Sequence, residues 1–214
     1  TPIVYCIVET FSKFICAIYV TLENPSRKSA LSAILNLLED KVEYCSRYGI
    51  KINSDDWPNS GLPRYLLADR GEFAGRFSDE LVDYLEIGVQ NTRSWAGNMK
   101  PDVEQSFDLL EEELLMLPGL IENDYRERGE KDYRKGARLT LEEFTKAAII
   151  AARRVNNRRM DNFILTEEMQ KDRVSKTPIA IYKWGIEHYP NAMKRVSEQI
   201  KKEIFFSKDT ASIT

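Results

Sequence analysis

Two carboxylates 35 positions apart, Asp69 and Glu104, are the residues of this chain whose setting suggests chemistry. Asp69 closes the apolar run Leu66-Leu67-Ala68 and precedes Arg70-Gly71-Glu72-Phe73. A buried strand would deliver it at an exposed end, and Gly71 would let the backbone turn away. Glu104 stands in Pro101-Asp102-Val103-Glu104, which reads as a first helical turn because proline there removes no needed donor. Phosphodiester chemistry requires an oxygen nucleophile, in-line geometry and neutralisation of developing charge. Hard cations held by rigidly placed carboxylates provide all three. Mg²⁺ keeps several of its waters, so few protein ligands suffice.

Each acid taken singly has a plainer explanation. An Asp-Arg-Gly turn often stops a strand, and a Glu near a helix N-terminus favours the helix dipole. Val103, Phe107, Leu110 and Leu114 form an apolar stripe that sets Glu104 on its margin, whereas Asp108, Glu111, Glu112 and Glu113 read as a solvated face. Glu72 either supports the site or closes the turn. The two acids are stronger together, at this separation and in this order of elements.

The elements that must position them follow from periodicity. Ile3–Val8 and 14–22 are apolar, β-branched runs joined by Thr10-Phe11-Ser12-Lys13, an antiparallel hairpin. Asn24-Pro25-Ser26 ends it, and Ser26 caps a helix carrying Ala30, Ile34, Leu37, Leu38, Lys41 and Val42 that Gly49 closes. Residues 53–62 read as an exposed polar loop. Strands follow at 64–68 and 87–91, with a helix at 78–86 between them. The segment 92–100 reads as a mobile loop, and a long helix begins near Pro101. Leu117-Pro118-Gly119 breaks that helix, and 122–138 is charged and irregular. Thr140-Leu141-Glu142-Glu143 is a capping box that starts a helix through about Asn156. A short extended or turn segment is expected at 177–185 and an amphipathic helix at 190–203. Mixed strands with helices on their faces define an α/β layered domain.

Composition narrows the class. The 214 residues are 43% apolar and 30% charged, ordinary for a chain that buries a core. No apolar run approaches the roughly 20 residues that cross a bilayer. No signal peptide is evident, and the start in mid-strand without Met reads as part of something longer. Cys6, Cys16 and Cys45 form no CxxC pair and His188 is the sole histidine, which argues against structural zinc and suits a reducing cytoplasm. A net charge of −3 excludes a uniformly basic nucleic-acid binder, but bases cluster at Arg153, Arg154, Arg158 and Arg159. At a helix C-terminus they either favour the dipole or meet DNA phosphates.

Asp69-Arg70-Gly71-Glu72-Phe73 followed by Glu104 resembles the last two acids of the Asp-Asp-Glu integrase and transposase superfamily. Val8-Glu9-Thr10-Phe11-Ser12-Lys13 resembles its second strand and aromatic-Ser turn, and the segment 19–26 matches too. Thr140 to Thr145, Asn156-Asn157 and Thr177-Pro178-Ile179 with Tyr182-Lys183-Trp184-Gly185 resemble the TnsB-type transposases, relatives of the phage Mu transposase. The resemblance covers nearly the whole chain. It implies an RNase H-like core over 1–119, then a mostly helical extension over 120–214 that leads toward a C-terminal β-barrel.

The resemblance also implies an activity, cleavage of transposon 3′ ends and their joining to target DNA. Asp69 and Glu104 would be the catalytic metal ligands for two Mg²⁺ (or Mn²⁺) ions. Arg70, Trp95, Asn98 and Lys100 would meet DNA beside the metals, and Arg153, Arg154, Arg158 and Arg159 farther off. Implied partners are transposon-end and target DNA, other transposase subunits in an oligomer on DNA, and accessory transposition proteins. No membrane partner is expected, and the implied location is the bacterial cytoplasm at the nucleoid. The family's first Asp belongs to a strand before Ile3, so this chain lacks it, and the missing central strand should leave a sheet edge exposed. Glu9 stands where many relatives have Asp, at a position that is not a family metal ligand. These departures motivate the alternative of a catalytically silent DNA-binding or assembly module. A metal nuclease unrelated to transposition is a third reading, which absence of transposon-end specificity would favour.

Overall fold

The computed structural model describes residues 2–24, 26–58, 61–68, 87–91, 100–115, 139–194 and 196, with the side chains of 27, 28, 68, 89–91 and 100–104 left out. Strands β1 (Ile3–Val8) and β2 (Ile15–Thr21) form the expected antiparallel hairpin, with a bulge between Ile7 and Val8. The turn between them is closed by Glu9, whose carboxylate accepts from the backbone N–H groups of Phe11 and Ser12 and from the Ser12 hydroxyl.

Beyond Ser26, whose side chain caps the next helix, the expected single helix is two: α1 (Arg27–Leu38) and α2 (Lys41–Arg47). Asp40 makes the break by capping α2 through the Glu43 N–H. Lys41 is fully buried and its ammonium donates to the carbonyl and Oδ1 of Asn36, satisfying the open end of α1. Gly49, at φ 68, ends α2 as its sequence position suggested.

Lys41 also faces the rings of Tyr44 and Trp57. Burial pulls its ammonium down to about 8 from 10.5, against the partial support of Glu39. Between those pH values the unfolded chain holds a proton that the folded chain has released, so this group makes stability rise with pH. Lys41→Met removes the titration. The unfolding free energy of the native chain minus that of the variant should therefore climb by roughly 2 kcal/mol from pH 7 to pH 9.5 in urea melts. Parallel curves would refute the assignment. The buried thiols and Tyr44, whose raised values act in the opposite sense, are common to both proteins and cancel.

The segment 53–62 is not wholly an exposed loop. After a short 3₁₀ turn (Ser54–Asp56), Trp57 is 1% exposed and donates its indole N–H to the Ile15 carbonyl at 2.9 Å. Leu62 is equally buried and belongs to β3 (Leu62–Pro63). Strands β4 (Tyr65–Ala68) and β5 (Gly88–Asn91) pair in parallel, Ala68 opposite Asn91. The long helix is α3 (Lys100–Leu115), and the capping box opens α4 (Leu141–Asn157) with both of its hydrogen bonds made. The expected helix at 78–86, the loop at 92–99, the break at 117–119 and the irregular stretch at 122–138 lie outside the described residues.

Two expectations in the C-terminal part fail. Residues 177–185 are neither extended nor a turn: they lie in α6 (Pro178–His188), preceded by the short α5 (Glu167–Lys171). Thr177 caps α6 and Pro178 occupies its first position, where a fixed φ favours a helix rather than stopping one. The expected helix at 190–203 does not hold over its first residues, where β6 (Met193–Lys194) pairs with β3; residues 195 and 197–203 lie outside the described residues. Among the described residues there are thus three two-stranded ladders, β1–β2, β3–β6 and β4–β5. One apolar core joins the inner faces of β1, β2, α1, α2, α3 and α4, with Phe14 stacked on Tyr182 at 4.3 Å. Helix α4 packs directly against β2 and shares that core, while Met169, Ile181 and Trp184 form a second, smaller cluster within the 120–214 segment. No helix among the described residues is long and apolar enough to cross a membrane.

Candidate functional site

The parallel pairing of β4 and β5 puts the C-terminal ends of both strands at one edge. Sites in α/β sheets form outside that edge, because loops leaving it converge. Asp69 is the first residue after β4, and α3 begins nine residues after β5. Asp69, Arg70, Trp95 and Asn98 lie outside the described residues. Lys100 and Glu104 lie on the backbone of α3, in its first turns. Leu110 and Leu114 of the expected stripe are buried, Phe107 is half-buried, and Asp108, Glu111 and Glu112 are exposed. Glu104 occupies the position one turn before Phe107 and Asp108, on the border of the two faces.

Among the described residues, no three His, Cys, Asp or Glu side chains gather as a metal centre would require. Glu9, with its carboxylate engaged three times by the hairpin turn, serves the backbone. Asp69 and Glu104, the expected ligands, carry only oxygen donors, a type that fits Mg²⁺ and not a soft metal.

The four arginines at the end of α4 each face a carboxylate. Arg154 meets Glu113 at 3.1 Å, Arg158 meets Glu112 at 2.8 Å, and Arg159 meets Asp161 at 2.7 Å. Their side chains are about half exposed or more. Such solvent-exposed pairs contribute little to stability, so a phosphate could replace the carboxylate at small cost. Arg153 differs: it is largely covered, lies 3.9 Å from Asp56, and its Nε is buried with no partner among the described residues. Its role in packing is the better supported. Tyr182 and Trp184 are also buried, as packing residues should be, and Trp184 donates to Asp172 at 2.7 Å.

Sequence reasoning quoted Asn156 as part of a family motif but missed its role in connecting the C-terminal part to the hairpin. Asn156 is fully buried, accepts from the Ile15 N–H at 2.7 Å and donates to the Ile15 carbonyl at 3.0 Å. Its one local sign was a polar residue on the apolar face of an otherwise amphipathic helix.

Comparison with known proteins places this architecture. Residues 1–119 match the family described as the TnsB C-terminal domain. The transposition protein TnsB of transposon Tn7 from Escherichia coli is 32% identical over 201 residues, 92% of this chain and 28% of that protein. The chain thus spans less than a third of the length of that relative. The catalytic core domain of BIV integrase superposes with a TM-score of 0.50 at 19% identity, covering 89% of this chain and 90% of that one, a likeness of fold. The chain belongs to the TnsB C-terminal domain family, built on the RNase H-like fold of the integrase catalytic cores.

Proposed function

We propose that this chain is the catalytic-core portion of a DNA transposase, acting by metal-dependent cleavage of transposon 3′ ends and their transfer to target DNA. The observation that carries the reading is the path of the backbone: parallel β4 and β5 end at one edge, immediately before Asp69 and shortly before the helix bearing Glu104. Membership of the TnsB family supports it. Asp69 and Glu104, with a third acid from outside these 214 residues, hold Mg²⁺. The bound ions would activate the attacking water or 3′-hydroxyl and neutralise charge on the leaving oxygen. Neither acid forms a covalent bond to DNA, so no Ser or Tyr nucleophile is required.

Arg70, Trp95, Asn98 and Lys100 contact DNA near the acids. Arg154, Arg158 and Arg159 exchange their carboxylate partners for phosphates, and Arg153 contributes mainly by holding the helix end. Arg158→Ala should weaken DNA binding and reduce the slope of log affinity against log salt by about 1, as loss of one phosphate contact requires. An unchanged slope, measured by fluorescence anisotropy between low and moderate salt, would remove Arg158 from the interface. The partners are transposon-end and target DNA, further transposase subunits assembled on that DNA, and accessory transposition proteins. The location is the cytoplasm, at the nucleoid.

The test is a longer polypeptide containing the third acid, incubated with transposon-end duplex and target plasmid. Nicked 3′ ends and joined products should form with Mg²⁺ or Mn²⁺ and vanish with EDTA. Absence of both products from well-folded protein that binds the ends would overturn the reading in favour of a silent assembly module. The 214-residue chain alone should show no cleavage, since it lacks one ligand. Robust Mg²⁺-dependent nicking by it would sink the three-acid assignment.

A further inference from the structure

The loop between α4 and α5 carries Ile164, at 87% the most exposed large apolar side chain among the described residues. Its exposure is imposed by the fold around it. The Phe163 N–H donates to the Met160 carbonyl at 3.1 Å, closing a tight turn, and the Met160 N–H donates to the Lys176 carbonyl at 2.8 Å. Phe163 and Leu165, on either side of Ile164, pack against the cluster of Met169, Ile181 and Trp184. With both neighbours engaged inward, Ile164 is left turned to solvent. Phe11, in the β1–β2 turn, meets Phe163 edge to face at 5.6 Å and is itself half exposed.

A lone exposed aliphatic residue needs no explanation. Ile164, however, has an apolar companion and a basic setting. The run 153–164 holds four arginines and one acid, Asp161, and the next acids, Glu167 and Glu168, lie beyond the Thr166 cap in the first turn of α5. The tight turn is flanked by Arg159 and Ile164, and Arg158 stands just before it as the C-cap of α4. The carboxylates that engage Arg158 and Arg159 are well exposed, Glu112 at 61% and Asp161 at 78%, so phosphates can take their place. An apolar protein surface would cover Ile164 but leave the arginine charge unmatched. A DNA minor groove answers both, since arginines meet its phosphates while an Ile or Phe slips between two base pairs.

We propose that Ile164 is a base-step wedge, supported by Phe11 and flanked by Arg158 and Arg159, that enters transposon-end duplex DNA. The inference rests on the transposase reading above and adds to it a contact with bases, where the arginines meet only phosphates. Its place along the duplex follows from α3. Arg158 pairs with Glu112, which lies beyond Glu104 on that helix by about 12 Å of axial rise. At about 3.4 Å per base pair, the wedged step is roughly three or more base pairs from the phosphate that is cut. The transposon end is the DNA concerned because it stays in register with the acids through both cleavage and joining. Ile164 is a positioning residue, and its wedge favours a flexible pyrimidine–purine step without any hydrogen bond to a base.

The experiment uses the longer polypeptide that contains the third acid, with transposon-end duplexes carrying 2-aminopurine at successive positions inward from the cleaved 3′ end. Stacking quenches this probe, and unstacking brightens it. At one step the native protein should brighten it several-fold. Ile164→Ala should abolish that rise and weaken end binding by about tenfold. The slope of log affinity against log salt should stay unchanged, because no phosphate contact is lost. Ile164→Met keeps an apolar wedge and should restore the rise. A mismatch at the same step removes the unstacking cost, so it should tighten native binding several-fold and leave the Ile164→Ala variant unchanged. A bound end that brightens nowhere, or that brightens equally with Ile164→Ala, would overturn the proposal. So would brightening confined to a target duplex, or lost subunit assembly in Ile164→Ala with the DNA signal intact, which assigns the patch to a protein contact. Loss of nicking and joining with the Ile164-dependent signal intact would instead defeat the catalytic reading alone, and failure to bind ends at all would defeat both.

Discussion

Asp69→Asn in a full-length polypeptide should lower strand transfer by about a thousandfold while transposon-end binding stays unchanged. Asparagine keeps the size of the side chain and one oxygen acceptor but loses the negative charge. A site built on hard cations depends on that charge, and charge stabilisation by a bound metal amounts to several kcal/mol in the transition state. At 1.36 kcal/mol per tenfold, that is about three orders of magnitude. Glu104→Gln should behave in the same way, because the proposed site depends on the charge of both acids. Glu111→Gln is the control: it lies on the same helix, two turns farther on, and is exposed to solvent. Transfer and end binding are measured on the same preparation, so a folding defect would reveal itself as lost binding. Unchanged transfer in either variant would remove that acid from the mechanism.

The second large effect is structural. Asn156→Leu preserves volume but strips the Ile15 N–H of its partner among the described residues, inside a site with no solvent exposure. The Ile15 carbonyl keeps the Trp57 indole, so one buried donor is orphaned rather than a donor and an acceptor. The expected loss is about 2–3 kcal/mol, read as a lower urea midpoint at constant m. That is a sizeable part of the stability of an ordinary domain. A midpoint equal to that of the native chain would show that Asn156 does not hold the edge. Because α4 brings Asn156 to β2, the variant also tests whether the segment after residue 119 is needed by the core before it.

Local signals in the sequence located most elements because their causes are local. The β-branched runs around Ile3–Val8 and Ile15–Thr21 could fold only as strands, and Ser26 and Thr140 cap the next few N–H groups of their own helices. The Asp69-to-Glu104 spacing and the TnsB-like motifs were equally legible, since they depend on order and distance along the chain. Pro178 misled because the same fixed φ suits a turn and a first helical residue; only the Thr177 cap before it distinguishes the two.

Tertiary structure decided what no local pattern encodes. Asn156 reaches a strand 141 positions away, Trp57 one 42 positions away, and Lys41 is buried because the ends of two helices meet above it. In each case a polar side chain completes hydrogen bonds that another segment leaves open, and the identity of that segment depends on packing. The sequence alone determined the order and spacing of Asp69 and Glu104, which resemble the last two acids of a TnsB-type core. Only the folded chain showed that β4 and β5 run parallel, and that Asn36, Tyr44, Trp57 and Asn156 complete one edge of the hairpin. The physical reason is that a strand's own residues specify its two faces, whereas its edges are completed by whatever the fold brings beside them.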